Sequence, residues 1–343
     1  MTLRVRRRTA LPAALLALAM GLAGCSQAAS QLEGHNAVEQ GNAQPAVSPP
    51  AAEPDDGEVV EVDGEVVALV AAGDRVAVQL ADPARLLIGD VEGTDWTEDR
   101  TVELPADAGP ATAGPDGAVV VPYADGVVVV PPTGDERRIS GLGPVTAAAL
   151  TDDGRLLTGT ADGEVVVRDA EGAEQHRVRG LTSVDLLSVA SDGSVTALSR
   201  PDTVIASVDL SEDTAGPLLR AGKGAGMVAP FAGDSVVASD TVGDALLVYS
   251  TDPVRLHQMF PVADAPWAVA EDASREVVWM TSTGTNTLQA YDLGDGFGSR
   301  RAEVATLRQP NSVVVTDSGT VVVGSAGGAG LHLLRPTLDE PEG

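Results

Sequence analysis

Gly143-Pro144-Val145-Thr146-Ala147-Ala148-Ala149-Leu150, then Asp153-Gly154, then Leu156-Leu157-Thr158-Gly159, then Ala161-Asp162-Gly163 and Val165-Val166-Val167: this stretch reads as three short strands separated by two tight turns. Small and β-branched side chains suit a pleated sheet. Asp-Gly pairs mark turns, because glycine enters the positive-φ region without steric cost. The same order recurs upstream as Ala111-Thr112-Ala113, Asp116-Gly117, Val119-Val120-Val121, Ala124-Asp125-Gly126 and Val127 to Val130. No amphipathic helix pattern interrupts residues 57–335.

The glycine of the first turn serves as a marker. It falls at Gly73, Gly117, Gly154, Gly193, Gly233 and Gly319, and one further unit, around Arg275, keeps the flanking strands without it. The successive spacings are 44, 37, 39, 40, 42 and 44 residues. A period near 40 with three or four strands per unit is that of a propeller blade. The expected fold is all-β, a seven-bladed β-propeller, with six or eight blades as the alternatives. Only 3% of residues are aromatic, so the core must be built from Val, Ala and Leu.

The last unit supplies three strands, near Ser312–Thr316, Thr320–Val323 and Leu331–Leu334, and the first is preceded by an unassigned strand, Glu58-Val59-Val60-Glu61-Val62. That strand is expected to complete the final blade and leave no open edge. The propeller then occupies residues 58–335, followed by an acidic tail over 336–343.

The blades lack the Gly-His and Trp-Asp signatures of WD40 repeats and resemble the NHL/YVTN class. Further stretches carry a narrower likeness: Leu219-Arg220-Ala221-Gly222-Lys223-Gly224, Leu246-Leu247-Val248-Tyr249 with Asp252-Pro253, Pro261-Val262 with Ala265-Pro266, Asn286-Thr287, Tyr291-Asp292-Leu293, and Gln309-Pro310-Asn311-Ser312. With Gln44-Pro45-Ala46-Val47-Ser48-Pro49-Pro50 and the Leu-Ala-Gly-Cys tetrapeptide described next, the chain resembles the prolipoprotein LppL family of mycobacteria and other actinobacteria, most closely over 217–330. The resemblance implies an envelope lipoprotein with a propeller domain, and no particular reaction.

The N-terminus carries Arg4, Arg6, Arg7 and Arg8, an apolar run from Ala10 to Ala19, then Leu22-Ala23-Gly24-Cys25. A basic n-region, a short apolar h-region and small residues before a cut site make a secretory signal. The apolar run is shorter than the roughly 20 residues of a membrane span. Leu22, Ala23 and Gly24 resemble a lipobox. In such lipoproteins a diacylglyceryl group is joined to the cysteine sulfur, and acyl chains of the palmitate kind hold the mature N-terminus in the membrane. Residues 1–24 are therefore expected to be a cleaved signal peptide, with Cys25 the lipidated residue. Two or more chains give a stable anchor, at about 0.8 kcal/mol per buried methylene. Cys25 is the sole cysteine, so no internal disulfide and no thiol nucleophile remain. From 25 to 57 the composition of Ala, Pro, Gln and Glu lacks an apolar period and reads as a disordered linker.

The formal net charge is −28, from 22 Lys plus Arg and 50 Asp plus Glu. Such a chain repels nucleic acid, so nucleic-acid partners are not expected. The partners expected are the membrane, through the lipid, and an envelope protein or small ligand. The location expected is the extracytoplasmic face of the cell membrane.

Propeller ligands sit on the face formed by the turns between second and third strands and by the crossings from blade to blade. Those loops hold Tyr123, Arg200, Lys223, Asp240, Trp267, Asn286, Asn311 and Ser325, the candidate ligand face. A tryptophan with convergent polar groups is what an orienting pocket needs. The competing reading is a Trp that fills a gap between blades and Asn residues that make turns. The four histidines, His35, His176, His257 and His332, show no metal-ligand spacing, so neither metal nor cofactor is expected beyond the lipid on Cys25. No Gly-x-Ser-x-Gly elbow or phosphate loop is present. The expected function is a non-catalytic binding or scaffolding module in the cell envelope. The alternative is a lactonase-like hydrolase or lyase acting at the central opening with a divalent cation, for which Asp185, Asp240, Asn286 and Asn311 are the candidate oxygen donors.

Overall fold

The computed structural model describes residues 41–50, 54, 56–294 and 296–340. The expected signal peptide and lipobox, with Cys25 and His35, lie outside the described residues. No helix among the described residues is long and apolar enough to cross a membrane.

The described residues form seven four-stranded antiparallel sheets, the blades of a β-propeller. Blade 1 is β2–β5 (Val66–Ala72, Arg75–Leu80, Arg85–Glu92, Asp95–Glu103) and blade 2 is β6–β9 (Thr112–Ala113, Val119–Tyr123, Gly126–Val130, Arg137–Ser140). Blade 3 is β10–β13 (Ala147–Leu150, Leu156–Gly159, Val165–Arg168, Glu174–Val178) and blade 4 is β14–β17 (Leu186–Val189, Val195–Ser199, Val204–Ser207, Leu219–Arg220). Blade 5 is β18–β21 (Ala225–Phe231, Ser235–Asp240, Ala245–Thr251, Val254–Pro261) and blade 6 is β22–β25 (Pro266–Asp272, Val277–Ser282, Thr287–Asp292, Ser299–Ala305). Within each blade the strands are lettered A to D outward from the axis.

Blade 7 closes the ring as the sequence led us to expect. It takes β26–β28 (Pro310–Val315, Val321–Ser325, Leu331–Leu334) from the end of the domain and β1 (Glu58–Val60) from its start. The register pairs Glu58 with Leu333 and Val60 with Leu331. Blade 7 is joined to blade 1 by Asp317 N–H to the Gly73 carbonyl (3.1 Å), Ser318 N–H to Asp74 Oδ1 (2.8 Å) and Thr320 Oγ1 to the Gly93 carbonyl (2.7 Å).

The core is distributed. Seven clusters of buried apolar residues each bridge one pair of neighbouring blades. Between blades 1 and 2, for example, Val70, Ile88 and Val102 meet Val119, Val121 and Val128. The Val-rich B and C strands are buried on both sides because each sheet is sandwiched between two others. The marker glycines lie in the A–B turns at positive φ, Gly154 at +84° for instance. In blade 6 Glu276 adopts φ +56° in the same turn, which is why the glycine period skips there.

Two stretches at the ends of the described chain lie on the propeller. The stretch 41–50, assigned by composition to a disordered linker, is extended chain laid on the propeller. The segment has no apolar period, yet its main-chain groups hydrogen-bond to the loops. The tail is also docked over its described part. Asp339 N–H reaches the Arg301 carbonyl (2.6 Å), Arg301 Nε reaches the Asp339 carbonyl (2.7 Å), and Leu338 packs on the core of blades 6 and 7. These residues cover the outer edge of β25, which would otherwise expose unpaired backbone.

Candidate functional site

The B–C turns and the D–A crossings emerge on one face. Arg200 opens the B–C turn of blade 4, Lys223 lies in the crossing to blade 5, and Asp240 ends β19. Trp267 and Asn311 are the second residues of β22 and β26, Asn286 ends the B–C turn of blade 6, and Ser325 ends β27. Tyr123 ends β7 in blade 2, where its hydroxyl meets Ser140 Oγ at 2.7 Å, apart from the others.

Asp240 is buried, and its carboxylate organises the loops around it. Oδ2 accepts Lys223 N–H (2.9 Å), while Oδ1 accepts Gly224 N–H (2.8 Å) and Gly243 N–H (3.0 Å). The approach is so close that a Cβ on Gly222 or Gly243 would lie 2.1 or 1.9 Å from Oδ2. Among the described residues, Lys223 has only its backbone engaged in hydrogen bonds, and it is the single lysine of the chain.

Arg200 joins three blades. Its Nε donates to the Gly226 carbonyl of blade 5 (2.8 Å), and its guanidinium lies 5.6 Å from the ring centre of Trp267 in blade 6. Burial pushes the guanidinium pKa below its ordinary value, and the Asp185 carboxylate works against that shift. Trp267 is buried among Ala268, Trp279 and Val313 and fills space between blades 6 and 7. Its ring presents a face to Arg200, a cation–π contact.

The remaining candidates meet the strap formed by residues 41–50. Gly41 N–H donates to the Lys223 carbonyl (2.9 Å) and Asn42 N–H to the Arg200 carbonyl (2.7 Å). Ala43 is buried above Gly224, where a Cβ would lie 3.3 Å from that of Ala43 and 2.3 Å from Val242 Cγ2. Ala46 N–H donates to Thr283 Oγ1 (3.1 Å), and its carbonyl accepts Gln309 Nε2 (2.8 Å). Ser48 N–H donates to Gln309 Oε1 (3.1 Å), and Ser48 Oγ, itself buried, donates to the Thr283 carbonyl (2.7 Å). Asn286 Nδ2 then donates to the Pro49 carbonyl (2.9 Å).

Thr283 and Gln309 were not singled out from the sequence as site residues. Nothing marked them, because they act through a backbone carbonyl, a hydroxyl and one amide rather than through charge. Asn286 and Gln309 both take positive φ, +54° and +56°, but so do Asp244 and Ala265 at the matching positions of blade 5. The left-handed conformation is thus part of the repeat. What differs is chemistry. In blade 5 the Asp244 carboxylate accepts Ala265 N–H (2.9 Å); in blade 6 Asn286 Oδ1 faces Gln309 N–H (3.3 Å), and the amide nitrogen is left to donate to the strap.

The four candidate cation donors do not form a common site. Asp240 has both oxygens engaged, Asp185 Oδ2 accepts Arg200 N–H (2.9 Å) and Ser183 Oγ (2.5 Å), and Asn286 is committed as above. Asn311 Oδ1 and Ser312 Oγ are buried without a hydrogen-bond partner among the described residues. Among the described residues no group of three or more His, Cys, Asp or Glu is placed to hold a metal ion. Two clefts of about 320 and 350 Å³ open among the A–B and C–D turns instead. One lies between blades 1 and 2 beside Arg75 and Pro131, the other beside Arg155, Ser194 and Asp209.

No family model matches the chain, and no curated protein matches it. Solved structures do. It is similar to virginiamycin B lyase from Staphylococcus aureus at 12% identity, with a TM-score of 0.65 over 81% of this chain and 99% of that one. It is similar to hydrazine synthase from Kuenenia stuttgartiensis at 13% identity, with a TM-score of 0.65 over 82% of this chain and 99% of that one. A chain of the mitotic checkpoint complex matches at 13% identity, with a TM-score of 0.65 over 85% of this chain and 97% of that one. At such identities these likenesses establish the propeller fold and leave function to the site.

Proposed function

We propose that this chain is an envelope lipoprotein, held at the outer face of the cytoplasmic membrane by a lipid on Cys25, whose propeller is a non-catalytic binding module. The observation that carries the binding half is the seating of residues 41–50. The candidate face holds a polypeptide through its backbone, with Gln309 pairing at once with the Ala46 carbonyl and Ser48 N–H. The basic n-region and Leu22-Ala23-Gly24-Cys25 support the tether, and the resemblance of 217–330 to the prolipoprotein LppL family agrees with it.

A lyase reading draws on the neighbours, which include a catalytically inactive His-to-Ala form of virginiamycin B lyase. The described histidines here lie off the candidate face. His176 and His257 sit on the outermost strands β13 and β21, and His332 on β28 has its ring nitrogens against Thr306 Oγ1 and the Asp56 carbonyl. Both oxygens of Asp240, Oδ2 of Asp185 and Oδ1 of Asn286 accept hydrogen bonds within the fold, so binding is the simpler use of this surface.

The test is crosslinking in intact cells with a tagged full-length chain, followed by salt-washed membrane fractionation. The wild type stays with the membrane and yields a specific adduct. Cys25→Ser leaves the membrane. Lys223→Glu reverses the charge on the face without breaking a side-chain bond, so it stays anchored and loses the adduct. Retention of Cys25→Ser in washed membranes overturns the tether, and an adduct indifferent to Lys223→Glu overturns the assignment of the face.

A further inference from the structure

Residues 41–50 read Gly-Asn-Ala-Gln-Pro-Ala-Val-Ser-Pro-Pro and hold no charged residue, in a chain of net charge −28. This uncharged piece crosses the candidate face from blade 4 to blade 7. Its contacts are mostly main-chain. Amides of Gly41, Asn42, Ala46 and Ser48 donate, and carbonyls of Ala46 and Pro49 accept. The Gln309 amide supplies one donor and one acceptor to the segment, the same two-point pairing that a neighbouring β-strand offers.

Side-chain selection is confined to two places. Ala43 is 3% exposed and Ser48 is 5% exposed, whereas Val47, the large apolar residue of the segment, is 85% exposed. At the first place the Ala43 methyl lies over Gly224, so close that a Cβ there would come within 3.3 Å of it. At the second, a hydroxyl is held by the Thr283 carbonyl (2.7 Å) and faces Gln309 N–H (3.0 Å). Pro45, Pro49 and Pro50 lack an N–H to satisfy and favour extended chain before binding, which lowers the entropy lost on seating.

We propose that this face carries a binding groove for an extended, uncharged, Ser-Pro-containing peptide segment of an envelope partner, and that residues 41–50 are its resident intramolecular occupant. The proposal deepens the binding-module reading by naming the ligand class. The groove is specialised in blade 6. Asn286 stands where blade 5 has Asp244, and a carboxylate there could accept from the crossing but could not donate to a peptide carbonyl. With so little apolar surface buried by the segment, its hold is polar and exchangeable. A partner peptide must outcompete an occupant whose effective concentration is in the millimolar range, about what a short flexible linkage gives.

The experiment uses the full chain with Cys25→Ser and a labelled synthetic peptide of sequence 41–50, followed by fluorescence anisotropy. Ala43→Glu with Ser48→Glu forces charge into the two buried positions of the segment and frees the groove without altering the blades. The freed groove is expected to bind the peptide at least about tenfold more tightly in apparent affinity than the unaltered segment allows. Adding Asn286→Asp or Gln309→Ala is expected to weaken that binding about tenfold or more, with the melting curve unchanged. A peptide carrying Glu at the two selected positions is expected not to bind. Equal binding to closed and freed chains overturns the proposal, as does indifference to Gln309→Ala. A wild-type dimer with exchanged segments overturns the intramolecular assignment. Should the freed chain fold poorly, Asn286→Asp alone gives a second readout: faster amide exchange at Ala46 and Ser48, and unaltered exchange there is equally fatal. Because membrane tethering and partner capture play no part, failure here is distinguishable from failure of the broader reading.

Discussion

Asp240→Asn is the substitution that most directly tests how the candidate face is built. The two side chains have the same shape, so packing is untouched. Oδ1 remains an acceptor for Gly224 N–H (2.8 Å) and Gly243 N–H (3.0 Å), and the new amide nitrogen then points its hydrogens at Lys223 N–H, which Oδ2 accepts at 2.9 Å. Turning the amide over only exchanges one conflict for two. A buried donor left unsatisfied costs about 1–3 kcal/mol. The two surviving bonds lose their charge assistance, for roughly 1 kcal/mol more. The sum is about 3 kcal/mol, or about 5 °C in melting temperature for a domain of this size. Circular dichroism gives the melting curve, and amide exchange at Lys223, Gly224 and Gly243 localises the damage. A fall below about 2 °C with unaltered exchange at those three amides refutes the account of Asp240 as the organiser of this face.

Two further outcomes follow from other parts of the ring. Deleting Glu58–Val60 strips β28 of its outer partner and removes the packing of Val60 at the interface of blades 7 and 1, so the variant is expected to melt earlier and to scatter light at lower protein concentration; an unchanged melting curve refutes closure by β1. His332 is buried, and burial holds its pKa below the ordinary 6.5, so the unfolded chain takes up a proton first as pH falls. Its stabilising contribution is complete above the unfolded value and is lost as pH drops through the folded one. The melting temperature of the wild type is therefore expected to fall further than that of His332→Gln between about pH 7.5 and about pH 5.5. Parallel curves refute that role.

The architecture could be read from residues because it rests on repetition. Turn glycines such as Gly154 and Gly193 recur at the blade period, and each is required by a positive φ that few other residues adopt. Glu276 broke the pattern without breaking the blade, since its neighbours supplied the strands. The closing strand was legible by arithmetic, as three strands at one end and one at the other. Topology placed Arg200, Lys223, Asp240 and Asn286 on one face, yet their roles were hidden. Asp240 serves backbone amides, and Trp267 is mostly interior packing. The strap was the least visible feature. Its composition is that of a linker, and its partners Thr283 and Gln309 bind main chain, which leaves no period and no motif in a sequence.

The mixed parentage of blade 7 bears on timing. β1 is the first strand of the propeller to be made, and it pairs with β28, the last. While synthesis proceeds N-terminus first, β1 must wait without a partner, and it is short and begins with Glu58, a poor template for pairing with other chains. A chain that stops after Ala305 but before Leu331 has six complete blades and no way to lock them. Completion of the ring therefore reports that the chain has been made through β28, and an interrupted product remains open at the edge where proteases and chaperones act.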